Sequence, residues 1–123
     1  MKEIETKLAP NAVGPYSQAI CAGNMVFVSG QLPIVPETGV FPSEDIRDQT
    51  RQSLENVKAI LAEAGYGMNR IVKVTVFLAD MADFSAMNEV YAMFFSRPYP
   101  SRCAIQAAAI PKGARVEIDA IAI

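Results

Sequence analysis

The chain has 123 residues, of which 51% are hydrophobic, and it carries 11 Lys and Arg residues against 13 Asp and Glu residues. This length predicts one domain spanning residues 1–123, and no stretch approaches the roughly 20 apolar residues of a membrane helix. The slightly acidic balance disfavours nucleic acid as a partner, because nucleic-acid binding needs a basic surface. The absence of histidine excludes Ser-His-Asp and Cys-His nucleophiles and any histidine metal site.

Two features of the sequence indicate a reducing cytoplasm. Only two cysteines, Cys21 and Cys103, are present, which is too few for a disulfide scaffold. The first five residues contain no apolar signal core, so secretion is not expected. We therefore predict a cytoplasmic protein that has no membrane partner.

Short strands are predicted at the start of the chain. Residues 3–7 are typical of an opening strand. Two apolar runs, 19–22 and 25–29, flank a Gly-Asn pair that is a hairpin signal. Four closely spaced turn residues then indicate an irregular loop: Pro33, Pro36, Gly39 and Pro42.

A helix is predicted to follow this loop. Ser43 is suited to the N-cap position, and Glu44 and Asp45 match the positive end of the helix dipole. Gly65 is suited to the position just after the last helical residue. Between these ends, apolar residues recur at helical spacing: Ile46, Leu54, Val57, Leu61 and Ala64.

A strand and a second helix come next. The strand is predicted over residues 71–79, which are rich in β-branched side chains. Asp83 is suited to cap the helix. We assign the apolar face of this helix to the core, with a ligand role as the alternative: Phe84, Met87, Tyr91 and Phe94.

The order of elements predicts the fold class. Pro98 and Pro100 end the second helix, and strands near 102–108 and 115–123 close the chain. Several strands followed by helix, strand, helix and two strands indicate an α+β fold. In this fold a single mixed β-sheet has two helices packed on one face.

One face of this sheet is expected to lack helices. Two strands each have one apolar set: Val72, Val74, Val76 and Leu78 on the first, and Val116, Ile118, Ala120 and Ala122 on the last. Because two helices can cover only one face, Phe77, Ile121 and Ile123 should remain exposed on the other. An exposed apolar patch of this kind predicts association with another chain.

The candidate chemistry lies near the end of the chain. Arg102 and Glu117 stand on two short apolar segments joined by a tight turn. Arg102 is always charged and can hold a carboxylate with two parallel hydrogen bonds, while Glu117 can act as a general base. A carboxylate clamp facing a base predicts hydrolysis of a small carboxylic acid. The alternative is that both are solvated strand residues.

Five segments of the chain carry a family pattern, in order and with ordinary spacing. They are APNAVGPYSQA at 9–19, VSGQ at 28–31, VKVTVFL at 72–78, DFSAMNEVY at 83–91, and PSRCAIQAAAI at 100–110 followed by VEI at 116–118. Together they resemble the RidA family, also called YjgF, which contains enamine and imine deaminases. The resemblance runs essentially end to end, so it is more specific than any single motif.

This resemblance implies a fold, an assembly and an activity. The fold is chorismate-mutase-like (YjgF-like), and it assembles as a homotrimer with sheets inward, helices outside and clefts between subunits. The activity is hydrolytic deamination of 2-aminoacrylate-derived 2-iminopropanoate and of 2-iminobutanoate to 2-oxo acids and ammonia, with no cofactor and no metal. By this comparison Arg102 binds the substrate carboxylate, and Glu117 orients and activates the attacking water.

The same comparison implies further substrate-binding residues. Tyr16 is expected at the cleft, and Asn88 on the second helix could face it. Ser29 and Gly30 end a predicted strand, where glycine permits a ligand to approach the backbone closely. The alternatives are a packed aromatic ring for Tyr16, a local hydrogen bond for Asn88 and a tight turn at the glycine.

Alternation along the strand predicts which neighbours of Arg102 share its face. Ala104 and Gln106 should lie beside it, whereas Cys103 should point away. Many relatives place a small residue directly after the arginine and then a cysteine, a threonine or another small residue, so we assign Cys103 no role in the cleft. We expect Cys103 to be a small buried hydrophobe.

Other functions also agree with the sequence. A non-catalytic regulatory trimer that binds 2-oxo acids would use Arg102 in the same way and need no base. Endoribonuclease or translation-inhibitor activity is also ascribed to the family, although the missing histidine and the acidic balance count against it. A chaperone-like surface protein is a further alternative that the sequence does not test.

Overall fold

A computed structural model describes all 123 residues. Its strands are β1 (Lys2–Ile4), β2 (Ala19–Ala22), β3 (Met25–Gln31), β4 (Ile71–Leu78), β5 (Ser101–Gln106) and β6 (Val116–Ala122). Its α-helices are α1 (Ile46–Glu63) and α2 (Phe84–Tyr91). Neither helix combines the length and the apolar character that crossing a membrane requires.

The six strands form one mixed sheet in the order β1-β2-β3-β6-β4-β5. Neighbouring strands are antiparallel except β4 and β5, which run parallel and are connected through α2. A parallel pair needs such a crossover, because a tight turn can join only antiparallel strands. The predicted α+β fold, a single mixed sheet with two helices, is confirmed.

The core lies between one sheet face and the two helices, which pack against each other. Its largest fully buried side chains include Val26, Leu54, Val57, Ile60, Leu61, Val74, Val76, Leu78, Met87, Val90 and Ile118. The predicted core face of α2 is confirmed, since Met87 and Tyr91 are buried while Phe84 and Phe94 pack against the core from partly buried positions. Burial of these faces is the main stabilising contribution to the fold.

Helix α1 begins later than the predicted cap at Ser43. Asp45 is the N-cap, because its Oδ1 accepts a 2.7 Å hydrogen bond from the Arg47 N–H. Ser43 instead supports the cap: its hydroxyl accepts from the Asp45 N–H at 3.0 Å and donates to Asp48 Oδ2 at 2.8 Å. At the other end Gly65 adopts a left-handed φ of 82°, as predicted for the residue that ends this helix.

Asp83 occupies the predicted N-cap position of α2, but its side chain does not cap the helix. Asp83 makes no capping hydrogen bond, and a 3₁₀ turn over Met81–Asp83 precedes the helix. Asp80 caps that turn by accepting a 2.9 Å hydrogen bond from the Ala82 N–H. The Asp83 carboxylate instead accepts bonds of 2.9 and 3.1 Å from the Arg115 guanidinium, which a local pattern could not reveal.

Strand β4 departs from the predicted alternation at its first residues. The pairing with β6 shifts between Ile71 and Lys73, so Val72 is an extra residue in a β-bulge. Val72 is 44% exposed and Ile71 is buried, so the predicted place of Val72 on the core face is wrong. The rest of the predicted apolar set is fully buried: Val74, Val76 and Leu78.

The other face of the sheet carries no helix, and we call it the open sheet face. Its apolar residues form two cross-strand pairs, Phe27 with Ile121 and Phe77 with Ile105. Phe27 and Ile105 are 41% and 45% exposed, and Phe77 and Ile121 are half-buried. Ile123, just beyond β6, is also exposed. The predicted apolar patch is therefore present on the single chain.

Candidate functional site

A cavity of about 580 Å³ adjoins β3, β6 and the loop before β2, and we call it the Glu117 cavity. Four of the sequence-predicted site residues line it: Tyr16, Ser29, Gly30 and Glu117. The remaining lining comes mostly from loops: Pro10, Asn11, Val13, Gln18, Gln31, Leu32, Ile34, Pro111 and Lys112. The cavity therefore combines one carboxylate, Glu117, with one cation, Lys112, and otherwise neutral walls.

Glu117 is the only acidic side chain that lines this cavity. It lies between the buried residues Val116 and Ile118 on β6, so its side chain points to the open sheet face. Burial raises the pKa of the Glu117 carboxyl, and the neighbouring Asp119 carboxylate raises it further. Neither ion pair of the chain involves Glu117, so its oxygens are free to accept hydrogen bonds from a ligand or a water molecule.

Gly30 makes room for the Glu117 side chain. A Cβ atom on Gly30 would lie 2.6 Å from Glu117 Oε1, which is closer than real Cβ contacts, and 3.1 Å from its Cδ, which is a tight contact. Gly30 stands within β3, where the pairing with β6 shifts, rather than after the end of the strand. The close approach that glycine permits here is thus the approach of Glu117 to the backbone of β3.

Ser29 of β3 and Tyr16 of the loop before β2 both line the Glu117 cavity. The Ser29 hydroxyl donates a 2.6 Å hydrogen bond to the Ser17 carbonyl, and the Ser29 N–H donates to the Gln18 carbonyl at 2.9 Å. Tyr16 is 52% exposed, and its hydroxyl accepts a long 3.4 Å bond from the Val13 N–H. Ser29 therefore ties β3 to the loop, while the Tyr16 ring is available to a ligand.

Gln18 holds this loop in place and was not singled out from the sequence. Its side chain is 3% exposed; Oε1 accepts from the Thr6 N–H at 2.7 Å. Its Nε2 donates to the carbonyls of Thr6 at 3.0 Å and Pro10 at 2.7 Å. A buried amide with several backbone partners fixes the chain on either side of it. The sequence signal for this role is a long polar side chain, Gln18, placed directly before an apolar strand.

Arg102 lies on edge strand β5, beside α2. Its Nη1 donates a 2.6 Å hydrogen bond to Asn88 Oδ1, and its Cζ lies 4.7 Å from the Tyr91 ring centre and 5.5 Å from the Phe84 ring centre. No carboxylate lies within ion-pair distance of it. A second cavity of about 350 Å³ surrounds this group, lined by Asn88, Tyr91, Ala92, Tyr99, Pro100 and Arg102.

The register of β5 gives the direction of its side chains. Arg102 and Ala104 pair with Val74 and Val76 of β4, so they share the helix-covered side, as alternation predicts. Cys103 pairs with Thr75 and lies on the open sheet face. It is exposed, so its predicted burial is wrong in the single chain: no helix covers that face.

Arg102 and Glu117 do not meet within one chain. Strand β4 lies between β5 and β6. Arg102 of β5 pairs with Val74 of β4, whose side chain is on the core face, whereas Glu117 of β6 pairs with Phe77 of β4, whose side chain is on the open sheet face. The expected clamp facing a base therefore does not form inside a single chain. Each chain instead carries two separate parts, one with the cation and one with the carboxylate.

Two contacts of Arg102 come from Phe84 and Tyr91, residues that the sequence pattern assigns to the core with a ligand role as the alternative. Phe84, Asn88 and Tyr91 have helical spacings of four and three residues, so they share one face of α2. Because Asn88 is a predicted site residue, its helical spacing from Phe84 and Tyr91 is the signal that could have predicted both rings near Arg102. No group of three or more His, Cys, Asp or Glu residues is placed to hold a metal ion.

Comparison with known proteins gives consistent similarities along the whole chain. Residues 6–123 match a family model described as endoribonuclease L-PSP. The chain is 56% identical over 123 residues to a RutC family protein of Pyrococcus horikoshii, covering 99% of this chain and 98% of the relative. It is 50% identical over 119 residues to Reactive Intermediate Deaminase A, chloroplastic, of Arabidopsis thaliana, covering 97% of this chain and 64% of that protein. The crystal structure of Escherichia coli TdcF with bound serine has a TM-score of 0.95 at 50% identity, covering 100% of this chain and 98% of that chain.

Proposed function

This chain belongs to the YjgF/RidA family, and from that premise we propose that it is a hydrolase that deaminates small 2-imino acids. The proposed substrates are 2-iminopropanoate, formed from 2-aminoacrylate, and 2-iminobutanoate. The products are the 2-oxo acids and ammonia, and the reaction uses no cofactor. Relatives that are 50% identical and named reactive intermediate deaminases support this reaction class. A cytoplasmic location stays a prediction from the two cysteines.

The observation that carries the proposal is the environment of Glu117. The carboxylate is partly buried in a cavity, it has no ion-pair partner, and its pKa is raised. A carboxylate with an ordinary pKa is a weak base at neutral pH, and a raised pKa brings its basicity closer to that needed for proton transfer. Glu117 is therefore suited to take a proton from water.

The proposed reaction has two steps. Glu117 accepts a proton from water while the water oxygen bonds to the imine carbon, and the Glu117 carboxylic acid then returns this proton to the imine nitrogen. The resulting carbinolamine carries a hydroxyl and an amino group on the same carbon. Glu117 then takes the hydroxyl proton and passes it to the amino group, so that the carbon–nitrogen bond breaks, ammonia leaves and the carbonyl of the 2-oxo acid forms.

Arg102 is the proposed partner of the substrate carboxylate. Its guanidinium is held by the neutral residues Asn88, Tyr91 and Phe84, so its charge remains available to an anion. TdcF binds serine, which carries a carboxylate of the same kind. We propose that Tyr16, Ser29, Gly30, Asn88 and Ala104 line the substrate site together with these two residues.

We also propose that the complete site forms between two copies of the chain. Arg102 and Glu117 lie on opposite sides of one sheet, so a single small substrate cannot reach both in one chain. Packing of the open sheet faces in a ring would bury their apolar pairs and set Arg102 of one copy at the Glu117 cavity of the next. The proposed ring is a homotrimer, a number that rests on the family resemblance.

A non-catalytic sensor of 2-oxo acids is the second candidate. It is favoured by the serine bound to TdcF, because holding an amino-acid carboxylate needs a cation but no general base. It would use the Arg102 part of the site and leave Glu117 without a chemical role. Ribonuclease activity, which the description of the family model names, is checked by incubating the protein with RNA.

One assay tests the proposal against these alternatives. 2-Iminopropanoate is generated with an amino-acid oxidase, and the imine that remains is trapped with semicarbazide. The wild-type protein should lower the trapped amount. Glu117→Gln is the matched variant, and it should lower turnover by about 10²–10⁴-fold while retaining 2-oxobutanoate binding. Unchanged turnover in this variant would overturn the role of Glu117, and a wild-type protein that binds 2-oxobutanoate without turnover would favour the sensor.

A further inference from the structure

The Arg102 side chain rests on aromatic rings rather than on an acid. Its Cζ lies 4.7 Å from the Tyr91 ring centre, and Tyr91 is only 6% exposed. The Tyr91 ring is itself held by Phe95, whose ring centre lies 4.6 Å away. The guanidinium therefore lies over a ring that has little freedom to move.

We infer that Tyr91 is a positioning residue that holds the Arg102 guanidinium ready for the substrate carboxylate. This inference deepens the proposed function and rests on Arg102 being the carboxylate-binding residue. A carboxylate partner would also hold Arg102, but it would neutralise the charge and occupy the N–H donors that the substrate needs. A ring face attracts the cation without using those donors.

The hydrogen bonds around Arg102 agree with this role. Asn88 Oδ1 accepts one bond, from Nη1, and a guanidinium has five N–H donors in a planar fork. The donors that remain suffice for a bidentate bond to a carboxylate. A long side chain otherwise loses rotamer freedom when it binds, and stacking on Tyr91 removes part of that loss before the ligand arrives.

The Tyr91 hydroxyl allows a clean comparison between two substitutions. It is buried without a hydrogen-bond partner, and burial raises its pKa more than the Arg102 charge lowers it, so it stays a neutral phenol. Tyr91→Phe therefore removes no hydrogen bond and keeps the ring. Tyr91→Leu removes the ring but keeps an apolar side chain in the core.

The experiment measures 2-oxobutanoate affinity, and KM and kcat for imine hydrolysis, in the assembled protein. Tyr91→Leu should raise Kd and KM by about 3- to 30-fold, the range of a cation–π contact, with little change in kcat, because Glu117 is untouched. Tyr91→Phe should restore most of the affinity that Leu loses. In the wild-type protein, the Arg102 Nε–H proton should be shifted upfield by the ring current in NMR spectra.

Several outcomes would overturn the inference. These are unchanged Kd and KM in folded Tyr91→Leu, an equal loss in Tyr91→Phe, or an Arg102 Nε–H proton at its ordinary chemical shift. The last measurement needs no variant, so it decides even if Tyr91→Leu does not fold. If the wild-type protein showed no turnover, only the deaminase proposal would be rejected. The Kd for 2-oxobutanoate and the chemical shift of the Arg102 Nε–H proton would still test the role of Tyr91. Unchanged affinity in Arg102→Ala would remove the premise, and this inference would fall with it.

Discussion

Glu117 titrates beside a second carboxylate, and this neighbour affects the pH range in which the proposed base can act. Burial is the larger cause of its raised pKa, and Asp119 is the second. Because the folded state binds this proton more tightly than the unfolded state, the contribution of Glu117 to stability falls as pH rises from its ordinary pKa through the raised one. Activity should change in the opposite direction, since only the ionised form accepts a proton.

Asp119→Asn should therefore move the acid limb of the kcat/KM profile to lower pH. The substitution removes the negative charge that raises the Glu117 pKa, while the amide oxygen can still accept the 3.2 Å hydrogen bond from the Thr75 N–H. Part of the shift should remain, because burial persists. The measurement is a pH–rate profile of wild type and variant, and an acid limb that does not move would contradict the coupling of the two carboxylates.

Gly30→Ala should reduce kcat without unfolding the protein. The new Cβ would lie 2.6 Å from Glu117 Oε1, so the carboxylate must move, and a displacement of this size can reduce the rate by about 10²-fold. Gly67→Ala is a matched control, since its Cβ would lie 2.8 Å from Asn69 Oδ1, outside the Glu117 cavity. Steady-state kinetics together with thermal unfolding check the prediction, and equal kcat in both variants would contradict it.

At the scale of elements, local sequence patterns predict which elements form better than where they end. Helical spacing identifies α1 and α2, and β-branched residues identify β4, because these patterns report burial on one face. The caps are harder to predict, since Ser43 and Asp45 are both good N-cap residues and the backbone selects the second. The role of Asp83 depends on Arg115, which is distant in sequence and becomes its neighbour only in the folded chain.

The cap of α1 gives a direct test of this difference. Asp45→Ala should lower the free energy of unfolding by about 0.5–2 kcal/mol, because it removes the bond to the Arg47 N–H. Glu44→Ala removes the same charge one residue earlier, from a side chain that makes no hydrogen bond, and should have a smaller effect. Denaturant titration of both variants measures this. An equal loss would mean that the helix dipole, rather than the cap, is responsible.

The candidate site shows what sequence reasoning can and cannot predict. The resemblance names four of the residues that line the Glu117 cavity, and it names Asn88, the hydrogen-bond partner of Arg102. It does not reveal that β4 separates Arg102 from Glu117, because strand order is a long-range property that a local pattern does not contain. The spacing of Tyr91 along α2 is the same whether its ring only packs in the core or also contacts a cation. Its contact with the Arg102 guanidinium is therefore visible only in the structure.

At the scale of the whole molecule, the open sheet face should hold the assembly together. Phe27→Asp should convert the proposed trimer to monomers, because it would place an unpaired carboxylate among apolar side chains in the interface. Val40→Asp is the matched control, since Val40 is 61% exposed in the loop between β3 and α1 and belongs to no strand of the sheet. Sedimentation at micromolar concentration checks this, and a wild-type protein that is already monomeric would contradict the proposed assembly.

Mixed assemblies test whether the two parts of the site come from different copies. Arg102→Ala subunits keep Glu117, and Glu117→Gln subunits keep Arg102, so neither variant alone has a complete site. In a closed ring of three, every mixed trimer has one boundary where the intact Arg102 of one copy meets the intact Glu117 of the next. Equal mixing with random reassembly should therefore restore about a quarter of the wild-type activity.

Two controls separate restored sites from residual activity. The same two variants mixed without subunit exchange should stay inactive. Arg102→Ala subunits reassembled with subunits that carry both substitutions should also stay inactive, because no boundary then has an intact Arg102. Activity that fails to return in verified mixed trimers would show that Arg102 and Glu117 do not act on one substrate across a subunit boundary. Since they lie on opposite sides of the sheet within one chain, the pairing of these two residues would then have to be abandoned.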